Sequence, residues 1–297
     1  MTEVACPGWR ASWVNAWLAA VGATVLDGRL RLRWTAEAEP TAVLASDGID
    51  PVAALAAAWP DARSMGDLPI ARSWRDTPPL PRGVPVEAFV ARAGSARGHR
   101  YAWALSSTMT DLEVDREGKV GHAPFAPPVP RGLTLHDRLV AVHGRVASPG
   151  ERIRESMAGE TDRVQGNGLG FDHTRLGSLG DRTDPWVDPV VEVLAFFGLA
   201  LLPARGDGVV RLRGTADARV RQRGSLPAAV RGEPRAFHWP AWRQALDADA
   251  IDALLDQWNP ARPRAWDRLG VHTGWRTVPY IRRGDSDTTR TFGSERL

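Results

Sequence analysis

Tryptophans recur every four positions near the start of the chain. In the segment GWRASWVNAWLAAVGAT, Trp9, Trp13 and Trp17 would share one face of a helix, which Leu18 and Val21 continue. A spacing of four residues is typical of an amphipathic helix, whereas a strand alternates every second residue. The sequence therefore predicts an N-terminal helix that runs through all three tryptophans.

A two-residue turn signal follows this helix. In TVLDGRLRLRW, Asp27-Gly28 separates a short apolar segment from a run in which apolar residues and arginines alternate. Asp-Gly is favoured in the tight turns of β-hairpins, and alternation is typical of a half-buried strand. We therefore expect an N-terminal helix followed by a hairpin that turns at Asp27-Gly28.

The most apolar stretch, DPVVEVLAFFGLALLP, predicts a buried helix near residues 188–198 that stops at Gly198. Weaker patterns predict strands in AVLAS, YAWALSS, DLEVDREGKVGHAPF and VVRLRG, and helices in DPVAALAAAWP, TLHDRLVAVHGRV and DADAIDALLDQW. Helices mixed with antiparallel hairpins define an α+β fold class. We expect an N-terminal α+β region over 1–160 and a C-terminal arginine-rich region over 161–297, or alternatively one continuous domain.

The positive charge is carried almost wholly by arginine and is unevenly distributed. Of the 38 basic residues only Lys119 is lysine. The net charge is +5 over 205–235 and +4 over 262–297, but −3 over both 1–204 and 236–261. Such a basic last third is typical of a surface that binds a polyanion, and arginine binds phosphate well. A GC-rich genome is the alternative explanation for the arginine total.

A glycine-rich segment, QGNGLGFDHTRLGSLGDRTDPWVDP, suggests close approach of the backbone to a ligand. It fails the dinucleotide fingerprint because position 171 is Phe, and Gly118-Lys119 lacks the Ser or Thr of a phosphate-binding P-loop. A tight structural crossover and a nucleic-acid contact therefore remain equally open. The candidate nucleic-acid-binding residues in this loop and the basic segment after it are Gln165, Asn167, His173, Arg175, Arg182, Arg211, Arg213, Arg219, Arg221 and Arg223.

Catalytic patterns are weak. Asp111, Glu113, Asp115 and Glu117 alternate along a predicted strand, which could hold Mg²⁺ as in nucleases, although an exposed hairpin face explains them better. Cys6 is the only cysteine, which excludes an internal disulfide and a multi-cysteine zinc site. We therefore expect a non-enzymatic protein with no catalytic residues, no metal and no cofactor.

Tryptophans are numerous enough to serve two purposes. Trp13, Trp17, Trp34 and Trp103 lie in periodic apolar patterns and are expected in the core. A second group lies among arginines, where aromatic rings pack in the core, stack on arginine or stack on exposed bases. That group, whose role stays open at this point, consists of Trp239, Trp242, Trp266 and Trp275.

The hydropathy pattern offers no membrane anchor. No apolar run approaches the roughly 18 residues of a spanning helix, and no basic segment followed by an apolar core suggests a signal peptide. We expect a cytoplasmic protein.

Three segments resemble subunits of CRISPR effector complexes of type I, particularly subtype I-G, formerly I-U. They are DPWVDPVVEVLAFFGLALLPARGDG, FHWPAW and LDADAIDALLDQW, and the N-terminal WVNAWLAAVGATVL is similar to the helix that opens several such subunits. The resemblance implies a subunit of a ribonucleoprotein whose partners are guide RNA, target DNA and other subunits. It also implies that a separate helicase-nuclease cuts the target, while guide pairing reads the sequence.

Overall fold

A computed structural model describes nine stretches of the chain, and helices and antiparallel strands follow one another along them. The described residues are 1–66, 84–85, 109–114, 119–122, 135–165, 186–201, 211–212, 237–281 and 290–297. The helices and small antiparallel sheets confirm the predicted α+β fold class.

The described helices are α1 (Val14–Leu26), α2 (Pro51–Ala58), α3 (Ala62–Gly66), α4 (Leu135–His143), α5 (Pro149–Ala158), α6 (Pro189–Gly198) and α7 (Ala248–Gln257). The described strands are β1 (Thr2–Arg10), β2 (Arg31–Trp34), β3 (Thr41–Ser46), β4 (Val84–Pro85), β5 (Met109–Val114), β6 (Lys119–His122), β7 (Val164–Gln165), β8 (Trp186–Val187), β9 (Arg211–Leu212), β10 (His238–Trp242), β11 (Val271–Ile281) and β12 (Arg290–Arg296).

The prediction of one helix through three tryptophans is wrong at its start. Trp9 lies in β1, Trp13 is the extended residue before α1, and only Trp17 is helical. The cause is tertiary, because β1 pairs with β3 and Gly8 lies against the backbone at the end of α5. All three indole rings are nevertheless buried, as a shared core face requires.

The predicted hairpin also lies one segment further along the chain. α1 continues to Leu26, and Asp27 ends it by donating its backbone N–H to the Ala23 carbonyl and by binding Arg29 through its carboxylate. Asp27-Gly28 is therefore a helix terminus. The hairpin is formed by β2 and β3, which pair antiparallel and are joined by residues 35–40.

The other predicted strands and helices that fall within the described residues are present in the structure. The structure confirms strands in AVLAS and in DLEVDREGKVGHAPF, and helices in DPVAALAAAWP, TLHDRLVAVHGRV and DADAIDALLDQW. VVRLRG contributes the short strand β9. YAWALSS and Trp103 lie outside the described residues.

The core is built around the pair α1 and α6. Every residue of α6 is buried, as predicted for 188–198, and the Asp188 carboxylate accepts from the backbone N–H groups of Val190 and Val191. The two helices meet at glycines: a methyl group on Gly22 or on Gly198 would collide with the backbone of the partner helix. A buried hydrogen bond from the Asn15 side chain to Glu192 also joins them.

The second sheet, in the order β10-β11-β12, packs on this helix pair. Indole N–H groups connect distant parts of the chain: Trp17 donates to the Pro240 carbonyl at 2.8 Å, and Trp239 donates to the Ala11 carbonyl at 2.6 Å. One hydrophobic cluster contains residues from both predicted regions. The division of the chain at residue 160 stays a prediction.

Candidate nucleic-acid interface

Two of the ten predicted contact residues fall within the described part of the chain. Gln165 is exposed at the end of β7, and Arg211 lies in β9, which pairs parallel with β5. The other eight, which lie outside the described residues and stay predictions, are Asn167, His173, Arg175, Arg182, Arg213, Arg219, Arg221 and Arg223.

The described residues on either side of the glycine-rich segment form a short two-stranded antiparallel ladder. Val164 pairs with Val187, and Gln165 pairs with Trp186. Val187 is buried, whereas Gln165 and Trp186 are exposed, so the ladder has an inner and an outer face. Both ends of the segment are thus held at a defined place on the protein.

A buried hydrogen-bond chain fixes the exit of this segment. The Trp9 indole donates to Ser156 Oγ at 3.0 Å, and Ser156 donates to the Asp188 carboxylate at 2.6 Å. Burial raises the pKa of Asp188, while the bonds from Ser156 and from the first turn of α6 oppose that rise. Since Asp188 follows Trp186 by two residues, β8 rests on a rigid support.

The open question about the second tryptophan group is answered by burial. Trp239, Trp242, Trp266 and Trp275 are each at most 8% exposed, so these rings belong to the core and cannot stack on bases. Trp242 packs edge-on against both Trp17 and Trp34, and its indole donates to the Leu32 carbonyl.

The antiparallel order of the second sheet gathers positive charge at one of its ends. Arg243 follows β10, His272 is the second residue of β11, and Arg296 ends β12; we name these three residues the basic rim. The Arg243 backbone N–H donates to the Gly270 carbonyl, which anchors the first arginine beside the start of β11. Arg296 donates to Thr273 Oγ1 at 3.0 Å and to the Ala38 carbonyl at 3.3 Å.

The arginines at and before this rim differ in their partners from the three arginines in and just before β2. Within the described residues, the arginines of the rim and of the preceding turn form no ion pair, and all are exposed. They are Arg243, Arg262, Arg264, Arg268 and Arg296. In contrast, Arg29, Arg31 and Arg33 each bind a carboxylate.

The two arginines of the rim affect the pKa of His272. Its pKa is lowered, first by burial and then by Arg243, with a smaller effect of Arg296, while an interaction with the Thr35 backbone opposes the shift. The imidazole is therefore neutral at neutral pH, and the two guanidinium groups carry the charge of the rim.

Acidic residues border the basic rim without neutralising it. Glu37 is exposed beside Ala38, and Glu39 accepts a hydrogen bond from Ser12. Asp267 is exposed in the turn before β11, and Glu295 is paired with Arg276 at 2.7 Å. Among the described residues, these carboxylates therefore leave Arg243 and Arg296 without an ion-pair partner.

Catalytic groups are sparse in the described part of the chain. Burial raises the pKa of the Cys6 thiol to about 12, so this sulfur is protonated and shielded from solvent. Among the described residues, no group of three or more His, Cys, Asp or Glu side chains could hold a metal ion. The side chains of the predicted acidic strand, from Asp111 to Glu117, are not among them.

The basic rim was not identified residue by residue from the sequence. Arg243 belongs to a segment of negative net charge, and strand order alone places it at the same end of the sheet as Arg296.

No described helix has the length and hydropathy needed to cross a membrane. Comparison with protein families, curated proteins and solved structures finds no match for this chain.

Proposed function

We propose that this protein binds nucleic acid through backbone phosphates, as a non-catalytic subunit of an effector complex like those of type I CRISPR systems. The observation that carries the proposal is the group of exposed arginines at and beside the basic rim, which have no carboxylate partner among the described residues. A guanidinium group without a carboxylate partner can bind a phosphate with two parallel hydrogen bonds, although Arg296 already donates one bond to Thr273 and one to Ala38.

A phosphate-binding role agrees with the distribution of charge along the whole chain. The rim belongs to the last third, where the two arginine-rich segments lie. Dispersed arginines contact the backbone of a nucleic acid and position it, whereas base-edge contacts are needed to read a sequence. In the proposed complex, guide RNA reads the sequence and this subunit helps to engage target DNA beside the other subunits.

The test is a measurement of binding against salt concentration. The double variant Arg243→Gln/Arg296→Gln removes two charges from the rim and keeps side-chain donors. We expect the log–log slope for duplex DNA to fall by about 0.9 for each phosphate that the variant no longer neutralises. The matched control is Arg31→Gln/Arg152→Gln, which removes the same charge from two arginines already paired with Asp47 and Glu155.

Three outcomes would contradict the proposal in different ways. If neither the isolated protein nor its native complex binds nucleic acid, the protein is a scaffold whose arginines reflect genome composition. If the rim variant and the control change the slope equally, the rim is not the binding surface. Magnesium-dependent cleavage by the pure protein would favour the alternative of a metal-dependent nuclease.

A further inference from the structure

Trp186 stands apart from the other tryptophans with described side chains because it is exposed. It is 58% exposed, whereas the other ten are at most 9% exposed. Exposing a large aromatic ring forfeits its burial free energy, and most proteins cover such rings in their core. Among the tryptophans with described side chains, this ring is therefore the one that a ligand can reach from solvent.

The ring stands on a rigid base. Trp186 is followed by the buried Val187 and by Asp188, which caps α6 and accepts from Ser156. Its backbone is paired with Gln165 across the ladder. A ring on a fixed support loses little conformational freedom on binding, which favours its use as a binding platform.

Among the described residues, those across the ladder from Trp186 and just before it include polar side chains. Gln165 lies directly opposite, and the preceding residues Arg163 and Asp162 are exposed as well. The other large apolar residues exposed in the described part are Met1, Val140 and Leu297, which belong to other elements. A protein-binding surface normally has a contiguous apolar centre, so a single ring with polar neighbours fits a planar ligand better.

Three contacts, linked by residues that are neighbours in sequence, lie between the basic rim and Arg163, which precedes the strand paired with Trp186. Arg296 binds the Ala38 carbonyl, and the residue after Ala38 accepts a hydrogen bond from Ser12. Next to Ser12, Trp13 is covered by the Arg163 guanidinium at 5.7 Å from the ring centre. Arg163 precedes β7, the strand that pairs with β8 at Trp186.

We propose that Trp186 stacks on an unpaired base of single-stranded nucleic acid, with the Gln165 amide beside it to hydrogen-bond the base edge. The inference rests on the proposed function, and it adds that the bound strand is single at this point. Aromatic rings accept any base because every base has a flat face, so the contact adds affinity without choosing a sequence. Phosphates of the same strand then bind Arg163 and the basic rim.

The experiment separates base stacking from phosphate binding. Binding is measured with a single-stranded oligothymidylate and with an abasic strand of the same length, which has the same phosphates and no bases. We expect Trp186→Ala to weaken binding to the oligothymidylate by about five- to a hundredfold, with an unchanged salt slope and unchanged binding to the abasic strand. Trp186→Phe should restore much of the affinity, because it keeps an aromatic face.

Val140→Ala is the matched control, since it also trims an exposed apolar side chain, and it should bind both strands as wild type does. If Trp186→Ala weakens both strands equally, or weakens neither, the stacking role is wrong while the proposed function stands. If the variant instead loses another subunit and keeps its oligonucleotide affinity, the ring is a protein contact. If wild type binds neither single strand but binds duplex DNA, the stacking role is wrong while the proposed function stands. If neither the protein nor its native complex binds any nucleic acid, both fail.

Discussion

Gly22 of α1 lies against the backbone amide of Gly198 in α6, and this contact sets how closely the two central helices approach. A side chain at either position would enter the backbone of the opposite helix. The two central helices therefore make close backbone contact at two glycines, which have no side chain to separate them.

The first prediction concerns this helix contact. Gly22→Ala should destabilise the protein by about 1–3 kcal/mol or more, because the added methyl group meets the Leu194 carbonyl and overpacks the contact. Gly66→Ala is the control, since an added methyl group there meets nothing. Urea unfolding measures both variants, and a Gly22→Ala protein as stable as the control would contradict this packing.

The second prediction concerns the chain from Trp9 through Ser156 to Asp188. Ser156→Ala leaves the Trp9 indole without its acceptor and removes the Ser156 donor from one Asp188 oxygen, so it should cost about 1–3 kcal/mol. Ser64→Ala, which removes an exposed hydrogen bond to Asp61, should cost much less. Thermal unfolding followed by circular dichroism distinguishes them; equal melting temperatures would show that the buried chain adds no stability.

The third prediction is a pH effect at His272. Because its folded pKa lies below the ordinary value of about 6.5, the unfolded state binds more protons as the pH falls below that value. The stability contributed by the neutral imidazole is complete above that pH and is lost as the pH falls toward the folded pKa. We expect this decrease in urea titrations across that window, and a smaller decrease in His272→Gln.

The same histidine reports on its arginine neighbour. Arg243→Gln should raise the pKa of His272, measured by NMR titration of its ring protons, since Arg243 is the first charged group that lowers it. Arg262→Gln, also an exposed arginine, should leave the titration unchanged. Identical curves for wild type and Arg243→Gln would mean that the two groups are not coupled.

The fourth prediction tests the acidic strand. The purified protein should not cleave DNA or RNA in the presence of Mg²⁺, because the sequence contains no convincing catalytic set around Asp111 and Asp115. Cleavage that survives repurification and is abolished by Asp111→Asn or Asp115→Asn would make the protein a nuclease.

The fifth prediction compares two basic regions. Replacing Arg219, Arg221 and Arg223 together by alanine should lower the salt slope of nucleic-acid binding and weaken all sequences similarly. Gln165→Ala should lower affinity with little change of slope, because an amide carries no charge. A folded triple variant that keeps the wild-type slope would show that this segment lies away from the nucleic acid.

The sequence predicted a helix correctly where the residues that start and end the helix lie within the same short segment. α6 is bounded by the capping residue Asp188 and by Gly198, and α7 begins after Asp247, whose carboxylate accepts from the Ala250 N–H. Both helices could be predicted because cap, apolar face and terminus all lie within one short segment.

The failures arose where a distant segment decides the conformation. Trp9 lies in β1, whose extended conformation depends on pairing with β3, and Ser12 bonds the distant Glu39. Neither partner can be read from the segment itself. The basic rim was missed for the same reason, since Arg243 and Arg296 are brought to one end of a sheet by strand order.

The tryptophan bonds between the two ends of the chain also bear on its synthesis. Trp17 binds Pro240, Trp239 binds Ala11 and Trp242 binds Leu32, over separations of 223, 228 and 210 residues. At roughly 5–20 residues per second, a ribosome needs about 10–40 s to make the intervening chain. During that time Trp17 and the carbonyls of Ala11 and Leu32 lack these hydrogen-bond partners, so we expect the nascent protein to depend on a chaperone until β10 emerges.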